Sequence, residues 1–139
     1  MAHTEKRKIL CIDDNDTCEM LKALLATIKM FYCEVSSASS AREARELIGK
    51  DIFDLYILDY RFSDGNGPEL CRFIRTRDSH VPVIFLTAIA TEQYRLEALS
   101  AGATLYLLKP YDLHILTTKV EQLLKNRGYT EQLTVTGRA

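Results

Sequence analysis

A chain of 139 residues has room for one domain around one core and too little for two. Apolar residues make up 47% of it and charged residues 27%, the balance of an ordinary globular protein. The formal net charge of -1 lacks the basic excess of a protein that works directly on nucleic acid, so that class is set aside.

Residues 1–7 read as a polar lead-in, its short basic cluster Lys6-Arg7-Lys8 serving the first strand. Lys8-Ile9-Leu10-Cys11-Ile12 is an apolar run that stops at Asp13-Asp14. Asn15 or Asp16 then caps a helix whose Leu21, Leu24, Leu25 and Ile28 recur every three or four residues. Tyr32-Cys33-Glu34-Val35 has the character of an edge strand, with a charge inside it. Ser40-Ala41-Arg42-Glu43 is a capping box, and the helix it opens places Ala44, Leu47 and Ile48 on one face.

Leu55-Tyr56-Ile57-Leu58 is apolar on both faces, as a central parallel strand must be, and it ends on Asp59. A loop marked by Asp64-Gly65 and Asn66-Gly67 follows, then Pro68 in the first turn of a helix with Leu70, Phe73 and Ile74 inside. The run Val81–Leu86 predicts a fourth strand, ending at Thr87. A less apolar helix spans Thr91 to Ser100. Leu105-Tyr106-Leu107-Leu108 is the fifth strand, ending at Lys109-Pro110, and Leu113, Leu116, Val120, Leu123 and Leu124 stripe the last helix. Residues 8–127 thus make one α/β domain of repeated strand–helix units. Residues 128–139 read as a polar tail without helical period, flexible or the start of a truncated linker.

The four cysteines (Cys11, Cys18, Cys33, Cys71) form no C-x-x-C pair and read as small buried thiols in a reducing compartment. His3, His80 and His114 have no partner spacing and read as surface residues. No apolar run reaches the length of a membrane span and no signal-peptide core is visible, so a cytoplasmic, membrane-free setting is expected.

Right-handed crossovers bring the carboxyl ends of parallel strands to one edge. Asp13, Asp14, Asp59, Thr87 and Lys109 therefore converge there. Carboxylates so gathered raise one another's pKa values unless a cation joins them. Mg²⁺ held by one or two carboxylates and water suits such a site, with an ammonium and a hydroxyl left for phosphoryl oxygens.

This ordered set resembles the receiver domain of two-component response regulators, over roughly residues 7 to 126. The resemblance implies a flavodoxin-like doubly wound sheet of five parallel strands in order 2-1-3-4-5. It implies that Asp59 is the phospho-accepting residue, with Thr87 and Lys109 completing the catalytic set. Asp13, Asp14, Asp59 and the Arg61 backbone carbonyl are the implied Mg²⁺ site, Asp14 as direct ligand and Asp13 largely through water. Thr87 and Tyr106 are the implied switch pair, and the Lys109-Pro110 bond is cis in the family. Arg61 and Ile89 stand where dephosphorylation rate is modulated. Where the family usually has Met-Pro, this chain has Phe62-Ser63, so a more mobile loop is expected.

The implied function is a signalling switch rather than an enzyme, phosphorylated on Asp59 by a histidine kinase or phosphotransfer protein. Its output is expected to be a protein target bound on the helix 4–strand 5–helix 5 face, from a monomer or weak dimer. Two other readings stand beside it. The chain is a module of a hybrid kinase or multidomain regulator, or it is an aspartyl-phosphate phosphatase. The second needs an acid/base carboxylate two residues after the nucleophile, where this chain has Arg61.

Overall fold

In the computed structural model, residues 5–135 are described, and side chains as far as residue 127. The elements run β1 (Glu5–Ile12), α1 (Asn15–Leu25), β2 (Phe31–Ala38), α2 (Ala41–Lys50), β3 (Leu55–Leu58), β4 (Arg61–Phe62) and β5 (Gly65–Asn66). They continue with α3 (Gly67–Arg77), β6 (Val83–Thr87), α4 (Glu92–Ser100), β7 (Leu105–Leu108) and α5 (Leu113–Val135). The five long strands form a parallel sheet in the order β2-β1-β3-β6-β7, the flavodoxin-like arrangement expected.

Alternation along the strands divides the core between the two sheet faces. Ile9 and Cys11 of β1 pack with Leu21 and Leu25 of α1 and with Leu116, Val120 and Leu124 of α5. Leu10 and Ile12 turn the other way, to Ala44 and Ile48 of α2 and Leu70 and Ile74 of α3. Each of these side chains except Ile48 is wholly removed from solvent. At about 1.5–3 kcal/mol for each large aliphatic side chain, this burial is what fixes the strands against one another. The short helix α4 contributes only Ala98 as a buried residue.

Several local expectations are corrected. β1 begins at Glu5, because Glu5, Lys6 and Arg7 pair with Phe31, Tyr32 and Cys33 of the edge strand β2; residues 1–4 lie outside the described residues. Asp14, not Asn15 or Asp16, is the N-cap of α1, accepting from the Thr17 N–H at 2.7 Å. β6 starts at Val83, since Pro82 has no N–H to give the ladder. The loop after β3 contains a two-stranded antiparallel pair, Arg61 opposite Asn66 and Phe62 opposite Gly65. Helix α5 runs on to Val135, past the expected boundary at residue 127. Gly128 costs a helix about 1 kcal/mol, which a continuing run without proline can absorb. Residues 136–139 and His3 lie outside the described residues.

Candidate functional site

Backbone hydrogen bonds hold three of the strand-end residues in place. The Asp13 N–H donates to Ala38 O (3.1 Å), the Asp59 N–H to Ile12 O (3.1 Å) and the Lys109 N–H to Thr87 O (2.9 Å). Each residue therefore continues the ladder one step past its strand, and its side chain emerges at the carboxyl edge of the sheet. The Lys109–Pro110 peptide is cis.

Lys109 joins residues distant in sequence. Its Nζ lies 3.0 Å from Asp13 Oδ2 and 3.4 Å from Asp59 Oδ2. The second oxygens are occupied locally: Asp13 Oδ1 accepts from the Asp14 N–H at 2.7 Å and Asp59 Oδ1 from the Tyr60 N–H at 2.6 Å. Burial pushes the Asp13 carboxyl up from its ordinary range, outweighing Lys109 and the Asp14 N–H, which pull it down. Burial also pulls the Lys109 ammonium down, but Asp13 and then Asp59 outweigh it and leave the ammonium raised. The lysine gains from the pair while the more deeply enclosed Asp13 remains short of compensation for its lost hydration.

Asp14 stands at the exposed rim with its carboxyl held low, by the Thr17 N–H first and the Thr17 hydroxyl second. Among the described residues, no three His, Cys, Asp or Glu side chains form a ready metal cage. The donors present are hard oxygens from the two carboxylates that share Lys109, and Asp14 follows Asp13 in the chain at the exposed rim. That set fits Mg²⁺, which keeps several waters and uses one or two carboxylates, better than it fits a fully protein-made cage.

Thr87 is 1% exposed, and its hydroxyl accepts from the Ile89 N–H at 3.3 Å. Tyr106 stacks on Phe85 with ring centroids 6.0 Å apart and donates its hydroxyl to Ile89 O at 2.8 Å. Both residues of the expected switch pair thus grip the backbone of one residue, Ile89, in the connection before α4. Arg61 is exposed and points to α4: its Nη2 donates to the Tyr94 hydroxyl at 3.2 Å and its guanidinium lies 5.4 Å from the Tyr94 ring centre. Tyr94 in turn meets Tyr60 edge-on at 5.1 Å.

The contacts of three residues in this neighbourhood are not foreseen in the sequence, where Asp64 and Gly67 read only as turn residues. Tyr94 is one; its only signal was an aromatic in an otherwise weakly apolar helix. Asp64 is another, for it accepts from the Ala41 and Arg42 N–H groups (2.8 and 2.9 Å) and so secures the hairpin β4–β5 to the N-terminus of α2. Gly67 is the third: a Cβ there would stand 2.6 Å from Asp59 O and 2.5 Å from a Phe85 ring carbon. His80 and His114 are exposed, as expected.

The family profile of the response regulator receiver domain matches residues 9–121. The response regulator protein PilR of Pseudomonas aeruginosa is 37% identical over 124 residues, which cover 88% of this chain and 27% of PilR. The regulatory protein VanRB of Enterococcus faecalis is 31% identical over 88% of this chain and 54% of its own length. This chain therefore spans about a quarter to a half of these relatives. Among solved structures, a two-component response regulator from Clostridium difficile superposes with a TM-score of 0.79 at 37% identity, covering 86% of this chain and 96% of that one. The BeF3-activated DrrB receiver domain gives a TM-score of 0.78 at 25% identity, covering 86% and 98%.

Proposed function

Because the chain belongs to the response regulator receiver domain family, we propose that Asp59 accepts a phosphoryl group from a histidine kinase or phosphotransfer protein and that its phosphorylation switches a protein-binding surface. The observation that carries this reading is the pair of contacts from one ammonium, Lys109, to both Asp13 and Asp59 at the sheet edge. An oxygen of the Asp59 carboxylate forms the new bond to phosphorus while the donor's bond to phosphorus breaks. The electron pair of that bond leaves with the donor. Lys109, 3.4 Å from the Asp59 carboxylate, would match charge on the phosphoryl oxygens with little reorganisation during transfer. Asp13, Asp14, Asp59 and the Arg61 carbonyl are the residues that would hold Mg²⁺, which supplies charge neutralisation to the transferring group.

The structure suggests how the change would travel. The Thr87 hydroxyl accepts from the Ile89 N–H, so a turn of that hydroxyl toward a phosphoryl group on Asp59 would disturb the backbone at Ile89. Tyr106 holds the carbonyl of the same residue, so movement at Ile89 is felt by β7 and α4 together. Phosphate then acts as a ligand that favours one of two arrangements, with leverage equal to its differential affinity for them. The surface altered is the α4–β7–α5 face, the proposed seat of a downstream protein. Arg61 and Ile89 flank the route of attacking water and set the lifetime of the phosphorylated state.

The test is incubation of the whole chain with acetyl phosphate and magnesium, followed by intact mass. One phosphoryl group per chain is expected, and none when a chelator removes the metal. Incorporation indifferent to the chelator, or absent altogether, overturns the reading.

A further inference from the structure

Cys11 near the end of β1 and Cys18 in α1 face each other beside the backbone of Asp13. Their sulfurs lie 2.8 Å apart, and the Cys18 thiol also faces the Cys11 and Asp13 carbonyls, at 3.5 and 3.8 Å. Both residues are free thiols, 0% and 3% exposed. Cys71 is also buried but belongs to the opposite face of the sheet; Cys33 is half-buried on β2. Two cysteines in contact, joined by a segment that carries Asp13 and Asp14, are more than small core residues require.

We propose that Cys11 and Cys18 are a modification site: a dithiol that hydroperoxides oxidise to an intramolecular disulfide. The sulfur of Cys18, the slightly more exposed of the two, attacks the terminal peroxide oxygen. The O–O bond breaks, leaving a sulfenic acid and one water from hydrogen peroxide. The Cys11 sulfur then attacks the sulfenic sulfur, the S–S bond forms, and the S–O bond breaks with release of a second water. The two thiols lose two electrons and two protons, and the peroxide is reduced to water. A disulfide of about 2.05 Å needs the sulfurs, now 2.8 Å apart, to close by less than about 1 Å, a closure assigned to a shift of α1 against β1. A small-molecule thiol reverses the step by exchange.

Such a shift moves the first turn of α1, where the Asp14 carboxylate is fixed by Thr17. The cross-link does not depend on the phosphorylation reading; only its effect on magnesium rests on that reading, and the two are measured separately. The whole chain is treated with hydrogen peroxide at a dose that fully oxidises glutathione, then denatured, alkylated and mapped by mass spectrometry. The expected product has lost two hydrogen atoms, carries an 11–18 cross-linked peptide, leaves Cys33 and Cys71 alkylated, and returns to four thiols with dithiothreitol. Cys18→Ala, checked for folding by circular dichroism, should keep its remaining three thiols. Survival of all four thiols in the wild type, loss confined to Cys33 or Cys71, or cross-links between chains would overturn the proposal. Magnesium affinity of the oxidised chain should fall roughly tenfold, the scale seen when a ligand's support is disturbed. An unchanged affinity with the cross-link in place would refute the effect on the metal site alone.

Discussion

The Lys109 ammonium reaches Asp13 at 3.0 Å across 96 residues of sequence, and it is the more buried partner, Asp13, that the pairing leaves strained. The folded-state pKa of Asp13 stands above that of the unfolded chain. Between the two values the folded state binds more protons, so this residue's contribution to stability is full below the ordinary carboxylate range and is lost as pH rises through the raised value. Asp13→Asn removes that loss. In metal-free buffer the variant should melt above the wild type at neutral pH, with the gap closing as pH falls to about 4. It should also bind magnesium far more weakly. Thermal melts across that range, with a calorimetric magnesium titration, check both outcomes; a variant less stable than wild type at neutral pH would contradict the charge argument.

Arg75 predicts a stability effect remote from the site. Its guanidinium donates to Gly102 O at 2.7 and 2.9 Å, to Val81 O at 2.6 Å and to Asp78 O at 3.2 Å, tying α3 to the starts of β6 and β7. Arg75→Met keeps the stem and leaves those carbonyls without their charged donor. A loss of about 2–3 kcal/mol in urea unfolding is expected, with acyl-phosphate chemistry preserved in the folded protein.

Gly67 shows what the backbone of the proposed acceptor, Asp59, demands. Its N–H donates to Tyr60 O at 2.6 Å, and no side chain can be added without meeting Asp59 O and Phe85. Gly67→Ala should cost about 1–3 kcal/mol and lower phosphoryl incorporation more than its unfolding would explain, because relief requires Asp59 or Phe85 to move. Urea titration and intact mass on the same sample separate the two effects.

Tyr94 holds the Arg61 guanidinium against α4, through its hydroxyl and its ring face. Freed by Tyr94→Ala, the guanidinium can swing over a phosphorylated Asp59 and impede water. Decay of the phosphorylated form should slow by a factor of roughly 2–5, the range that about 0.5–1 kcal/mol of anchoring covers. In an Arg61→Ala background the same substitution should do nothing further; an equal effect there would assign it to packing of α4.

Much of this was legible from residue order. Apolar runs ending in Asp13, Asp59, Thr87 and Lys109 announced the sheet edge, since parallel topology leaves their convergence little freedom. The hairpin β4–β5 was not legible: Arg61-Phe62 and Gly65-Asn66 are too short to carry a period, and the tie from Asp64 to the first turn of α2 joins residues distant in sequence. The extent of α5 was missed because residues after Arg127 lack an apolar stripe, yet nothing there stops a helix already begun. Tyr94 and the Cys11–Cys18 contact depend on side chains meeting between elements, which spacing along one element does not reveal.

Where the phosphoryl group goes is the most direct test of the proposed function. After acetyl phosphate and magnesium, the acyl phosphate is reduced with borohydride and the labelled residue located by peptide mapping, in wild type and Asp59→Asn alike. The label is expected at residue 59 of the wild type and nowhere in the variant. Label at another carboxylate of the wild type, or equal incorporation by Asp59→Asn, would contradict the account.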